Sequence, residues 1–144
     1  MEKAPIFVLD ASVAVKWYTH EAGRGKAVKL REHYADGKVD LLAPGLIVYE
    51  VGNALRFHPN ASKTIGSSAV KALRKMQFII ESLHDDLIEK AMEISYAEGV
   101  TFYDAIYLAL AEEEDAKLIT ADERLVRKLK KYQNRVLSLS AYEA

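Results

Sequence analysis

At 144 residues, half of them hydrophobic and 28% charged, the chain has the composition of one globular domain (residues 1–144) large enough to bury a core. It has no cysteine, which excludes disulfides and thiolate metal sites, and its net charge of −1 leaves any nucleic-acid contact to a local basic patch. The N-terminal apolar run is too short for a signal peptide or a membrane span, so a cytoplasmic protein with no membrane partner is expected.

Residues 6–9 are apolar on both faces and predict a central parallel strand that ends at Asp10. Asp10-Ala11-Ser12 leads into an apolar-periodic stretch, residues 13–18. Helix N-cap is the ordinary role for Asp10, but its place at a strand end also aims a carboxylate at the crevice where parallel α/β sheets put their sites. Residues 24–34 predict a helix stopped by Asp36-Gly37, and residues 39–42 a second strand. Pro44 suits the first position of a helix running to about Phe57. Within it Glu50 shares a largely apolar face with Leu46, Ile47, Asn53 and Ala54. It has no cap to make, so it needs a cation, either an arginine or a metal.

Residues 58–62 read as a loop, 67–76 as a helix with Lys63, Lys71, Arg74 and Lys75 nearby, and 78–83 as a third strand. Asp85 or Asp86 then caps a helix that ends before Gly99. Thr101-x-x-Asp104 opens the next helix in the manner of a capping box, with Ile106, Tyr107, Leu108 and Leu110 on its apolar side. Residues 117–119 form a strand that runs into Thr120-Ala121-Asp122, a basic helix follows over 123–131, and 136–139 is the last strand. The four histidines, at 20, 33, 58 and 84, read as surface residues. Trp17 and Tyr18 read as core or dimer-packing residues, with base stacking the lesser role. Strands alternating with helices argue a mostly parallel sheet covered on both faces.

Four acids far apart in sequence, Asp10, Glu50, Asp104 and Asp122, are each placed to approach the carboxyl end of that sheet. Three have a cap as an ordinary explanation; Glu50 does not. Grouped carboxylates raise one another's pKa values unless a cation neutralises them. Hard oxygen donors suit Mg²⁺ or Mn²⁺, ions that activate water and hold an in-line phosphoryl displacement. No P-loop, zinc-type histidine pair or ordered Ser-His-Asp pattern is present. Arg124, Arg127 and Lys128 concentrate positive charge in one short helix, where phosphate binding competes with a solvated face. Asp10-Ala11-Ser12 offers neither the adjacent acids of a phosphoaspartate receiver nor the Asp-x-Asp of a phosphatase. A non-catalytic module that binds RNA or protein is the other alternative.

Val8-Leu9-Asp10-Ala11-Ser12, the stretch from Tyr49 to Leu55, the stretch from Thr101 to Ala109, and the stretch from Leu118 to Leu125 together resemble the PIN domain. The subgroup they resemble is the VapC-like toxin ribonucleases of toxin–antitoxin modules. The resemblance implies a three-layer α/β/α sandwich around a mostly parallel sheet. It implies a Mg²⁺- or Mn²⁺-dependent endoribonuclease that cuts RNA, a homodimer, and a cognate antitoxin that inserts a segment into the active site. It assigns the catalytic and metal-binding acids to Asp10, Glu50, Asp104 and Asp122, and the small polar residues beside them to Ser12 and Thr120, with Asn53 as a further neighbour. Residues 58–83 match only loosely.

Overall fold

Short runs buried on both faces make the strands. In the computed structural model of the chain, which describes residues 3–80 and 82–143, the strands are β1 (Ile6–Leu9), β2 (Asp40–Pro44), β3 (Ile79–Ile80), β4 (Lys117–Thr120) and β5 (Val136–Ser138). They form one parallel sheet in the order β3-β2-β1-β4-β5. Val8 stands opposite Leu42 on one side and Leu118 on the other. The chain steps outward from β1 to β2 and β3, then returns to lay β4 on the free side of β1. The strand order therefore reverses between β1 and β4, and a crevice opens at their carboxyl ends.

The helices described are α1 (Ala11–Ala14), α2 (Arg24–Ala35), α3 (Leu46–Phe57), α4 (Lys63–Arg74), α5 (Asp85–Glu98), α6 (Phe102–Glu113) and α7 (Glu123–Lys128). α6 is buried without interruption from Ala105 to Ala111, because it lies between the sheet, where it meets β1, β2 and β4, and α5. An all-round apolar helix is what such a place requires. α1 packs on α3 and β4, and the 3-10 turn Val15–Trp17 packs on α2 and α3. The result is the expected three-layer α/β/α sandwich. Among the described residues no helix is long and apolar enough to cross a membrane.

Several boundaries differ from expectation. Pro44 ends β2 instead of opening α3: it is paired in register with Ile80, and Gly45 N–H donates to the Ile80 carbonyl at 2.9 Å. α4 begins at Lys63, four residues early, because the Ser62 hydroxyl accepts from Ile65 N–H and caps it. β3 keeps only two residues, since Phe78 turns its side chain into the core. Glu81, within the expected third strand, lies outside the described residues, as do Met1, Glu2 and Ala144 at the ends of the expected domain. The cap of α5 is the His84 ring, which accepts from Leu87 N–H at 3.3 Å, and not Asp85 or Asp86. Gly99 ends α5 with φ +67°, a conformation that favours glycine. α7 stops at Lys128, because Leu129 turns extended and buries its side chain.

One side-chain expectation is corrected, and one is narrowed to the first of its two readings. His33 is buried, not on the surface, and is held 2.6 Å from the Tyr142 hydroxyl. Trp17 is a core residue whose indole N–H donates to the Ala27 carbonyl at 2.8 Å, so it is not available to a dimer interface.

Because α6 is the helix shared by both packing surfaces, Leu108→Ala, at a fully buried position, is expected to cost about 2–5 kcal/mol. Urea denaturation of the two proteins measures it.

Candidate active site

The switch between β1 and β4 puts the first acid in place. Asp10 follows the last residue of β1, and its N–H donates to the Ile119 carbonyl of β4 at 3.1 Å. It stands at the N-cap position of α1, and its carbonyl accepts from Val13 and Ala14, but its side chain makes no cap bond. The carboxylate instead turns toward β4. Oδ2 accepts from the Thr120 hydroxyl at 2.8 Å and, through a shorter bond, from the Ser12 hydroxyl. Ser12 in turn accepts from Ala121 N–H at 2.9 Å, and Thr120 accepts from Asp122 N–H at 3.1 Å. Both side-chain donors fall on one oxygen, and the Ser12 backbone N–H adds to the stabilisation of the carboxylate.

Asp122 caps α7: its Oδ1 accepts from the N–H groups of Arg124 and Leu125 at 3.0 and 3.2 Å, which leaves Oδ2 without a donor among the described residues. Asp104 sits in the first turn of α6. Thr101 caps that helix by accepting from Asp104 N–H at 3.0 Å, and a hydrogen bond with the Thr101 side chain favours the charged form of the Asp104 carboxyl. Glu50 projects from the middle of α3. Among the described residues it has no arginine or lysine partner; the Tyr107 hydroxyl donates to its Oε1 at 2.6 Å.

The electrostatics tie the four together. Burial raises the pKa of Asp10 despite its hydroxyl donors, and the charge of Asp122 raises it further. Glu50 is raised by burial first, against the pull of Tyr107, and then by the charges of Asp10 and Asp104. Asp104 is raised by burial, then by Asp10 and Asp122, with Lys128 acting in the opposite direction. Burial and the neighbouring charges of Glu50 and Asp10 drive the Tyr107 phenol far above its ordinary range, so it stays a donor. Among the described residues none of the four acids is in an ion pair. Nor do any three close around a point as a ready-made cage.

The donor chemistry nevertheless fits a hard divalent cation. Every donor is a carboxylate oxygen, and among the described residues the only cation that offsets their mutual repulsion is Lys128, which acts on Asp104. Asp122 keeps one oxygen without a donor among the described residues.

The remaining expected residues are placed less centrally. Asn53, one turn beyond Glu50, lines with it a shallow cleft of 360 Å³ rimmed by the exposed Tyr49 and Tyr103. On α7, Lys128 reaches the Gly99 carbonyl at 3.2 Å and senses Asp104, whereas Arg124 and Arg127 are exposed. Tyr107 was not singled out as a site residue by the sequence reading. The signal was available: it is the one hydroxyl in the buried run of α6, three residues beyond Asp104 and so on the same helix face.

A sequence model of the PIN domain matches residues 7–131. Exonuclease VapC9 of Pyrobaculum aerophilum is 31% identical over 86% of this chain and 86% of its own. Ribonuclease VapC3 of the same organism is 30% identical over 84% of this chain and 92% of its own. Among solved structures, that of PAE2754 from Pyrobaculum aerophilum aligns with a TM-score of 0.64 at 25% identity, covering 97% of this chain and 89% of the other.

The raised carboxyls fix the sign of a stability test. A folded-state pKa above the unfolded one means that the folded protein binds the proton more tightly. The group's contribution therefore becomes unfavourable as pH rises through the ordinary carboxylate range toward the raised value. With a chelator at neutral pH, Glu50→Gln is expected to melt at the same temperature as the unaltered protein or higher, the difference closing as pH falls into the ordinary range. Tyr107→Phe leaves Glu50 Oε1 without its donor and is expected to lose about 1 kcal/mol. Melts of the three proteins across pH check both signs.

Proposed function

The chain belongs to the PIN-domain family, and on that premise we propose that it is a nuclease of the VapC type: a Mg²⁺- or Mn²⁺-dependent endoribonuclease that serves as the toxin of a toxin–antitoxin pair. The observation that carries the reading is the convergence of four unpaired carboxylates at the β1–β4 switch point. Relatives named exonuclease and ribonuclease support phosphodiester hydrolysis as the reaction class.

Asp10, Glu50, Asp104 and Asp122 are the residues that would hold the cation. When bound, a divalent ion neutralises charge on the scissile phosphate and makes water acidic enough to attack phosphorus. The protein's own groups prepare that step. Ser12 and Thr120 pin Asp10 through Oδ2, which fixes the orientation of the carboxylate. Tyr107 does the same for Glu50 through Oε1. One of these carboxylates would take the proton of the attacking water as its oxygen bonds to phosphorus. The P–O bond to the leaving strand breaks in the same displacement. Arg124, Arg127 and Lys128 stand beside the crevice as phosphate contacts.

The family resemblance also supplies the partners, a cognate antitoxin and a second copy of the chain. Support for the second copy on this surface is the pair Met92 and Tyr96, 44% and 85% exposed and one turn apart on α5. A dimer is expected by light scattering at tens of micromolar; a monomer there would reject the assembly.

The activity test uses an end-labelled linear RNA and a covalently closed RNA circle, each with Mg²⁺, Mn²⁺ or chelator. Cutting of both with metal alone is expected, and Asp10→Asn is expected to lower the rate by at least ~10²-fold, the lower end of what a positioned acid–base group supplies, with its melt intact. Shortening of the linear RNA while the circle survives would mean an exonuclease. No cutting of either would leave a binding module. Cleavage by Asp10→Asn at the unaltered rate would reject the assignment of that residue.

A further inference from the structure

Two tyrosines stand in solvent beside the acids of the crevice. Tyr49 precedes Glu50 on α3 and is 78% exposed; Tyr103 precedes Asp104 on α6 and is 58% exposed. Among the described residues neither ring meets another aromatic ring or a cation. Both line one cleft of 360 Å³, together with Leu46, Glu50, Asn53 and Ala54.

Two helices fix where that cleft lies. On α3, Leu46, Glu50, Asn53 and Ala54 recur at the three- and four-residue spacing of one helix face. On α6, Tyr103 is one turn from Tyr107, whose hydroxyl donates to Glu50 at 2.6 Å. Glu50 is therefore common to the cleft and to the crevice, where the charges of Asp10 and Asp104 act on it. α3 is anchored beyond its far end as well: His58 pairs with Glu21, which also holds Lys16 and Thr19, so Tyr49 rides on a fixed element.

The lining chooses between the parts of a nucleotide. It contains no lysine or arginine, and its one charge is the Glu50 carboxylate. A phosphate is repelled there; a neutral planar ring is not. For such a ring the cleft offers two aromatic faces, the aliphatic Leu46 and Ala54, and the Asn53 amide, which both donates and accepts. Its volume is at the low end of the ~300–1,000 Å³ typical of small-molecule clefts.

We propose that this cleft is a nucleobase subsite: an unpaired base of the RNA, in the nucleotide next to the scissile phosphate, stacks on the Tyr49 and Tyr103 rings and turns its polar edge to Asn53. The inference rests on the nuclease reading above and adds to it a preference for single strands. A base stacked inside a duplex has no free face for the rings. Every base has such a face once unstacked, so the subsite tolerates many sequences.

Anisotropy in chelator at low salt compares a fluorescent, unstructured 12-nucleotide RNA with a ribose–phosphate oligomer of the same length that lacks bases. Cleavage of the RNA with Mg²⁺ or Mn²⁺ is followed in parallel. Tyr49→Ala and Tyr103→Ala are each expected to weaken RNA binding about tenfold, within what one stacked base supplies, and to leave the abasic oligomer unaffected. KM is expected to rise by a similar factor with kcat kept. Tyr49→Phe and Tyr103→Phe keep the ring and are expected to keep both affinities. An equal loss for the abasic oligomer, or a loss in the phenylalanine variants as large as in the alanine ones, would overturn stacking. Unaltered RNA binding and KM in the alanine variants would also overturn it, in favour of a contact between two copies if light scattering then shows a dimer turned monomer. If the unaltered protein cuts RNA while the variants behave in any of these ways, the subsite alone fails; if RNA is neither bound nor cut, it is the nuclease reading that fails.

Discussion

Parallel pairing of β1 with β4 is the contact on which the site depends. Leu9 stands in register with Ile119, so the next residue of each strand, Asp10 and Thr120, meet as carboxylate and hydroxyl. A slip of one residue would send the Thr120 hydroxyl to the other face of the sheet. Asp10 would then lose the β4 donor and keep only those of Ser12, and a lost hydrogen bond to a buried charged group costs more than a neutral one. β4 is buried on both faces over Leu118, Ile119 and Thr120, as a central parallel strand must be. Ser12 locks it from the other side by accepting from Ala121 N–H.

The crevice holds charge that the fold would be more stable without. Asp10, Glu50 and Asp104 each raise the proton affinity of a neighbour, and no lysine or arginine is paired with any of them among the described residues. A protein optimised for stability alone would place a cation or an apolar side chain there. The opposing stabilisation comes from next door: α6 brings Asp104 to the crevice on its first turn and buries every residue from Ala105 to Ala111 behind it. Tyr107 belongs to both parts, its ring in the core and its hydroxyl on Glu50.

Strand ends and cap positions made Asp10, Asp104 and Asp122 legible in the sequence, and the very absence of a cap made Glu50 so. Those signals are local, and the sheet topology turns them into proximity. Tyr107 was not legible as part of the site because a tyrosine in an apolar helix looks like packing; its partner lies 57 residues away on α3. His33 was misplaced for the same reason, since the buried hydroxyl that accommodates it belongs to Tyr142. The start of α4 was missed because Lys63-Thr64-Ile65-Gly66 is poor helix material, and only the Ser62 cap and packing on α3 make it helical. The third strand was overextended because an isoleucine-rich run does not reveal which residue will turn inward, as Phe78 does.

The tie between the α3–α4 loop and Glu21 reaches further than holding a loop. Lys16, Thr19 and His58 converge on the Glu21 carboxylate, and although burial opposes it, their hydrogen bonds hold that carboxyl below its ordinary range and therefore charged. Arg24 braces the same turn by donating to the carbonyls of Lys16, Trp17 and Thr19. The hairpin is thus anchored at its apex as well as along its length. The conformational entropy of that loop is therefore given up during folding, offset by the hydrogen bonds that converge on Glu21.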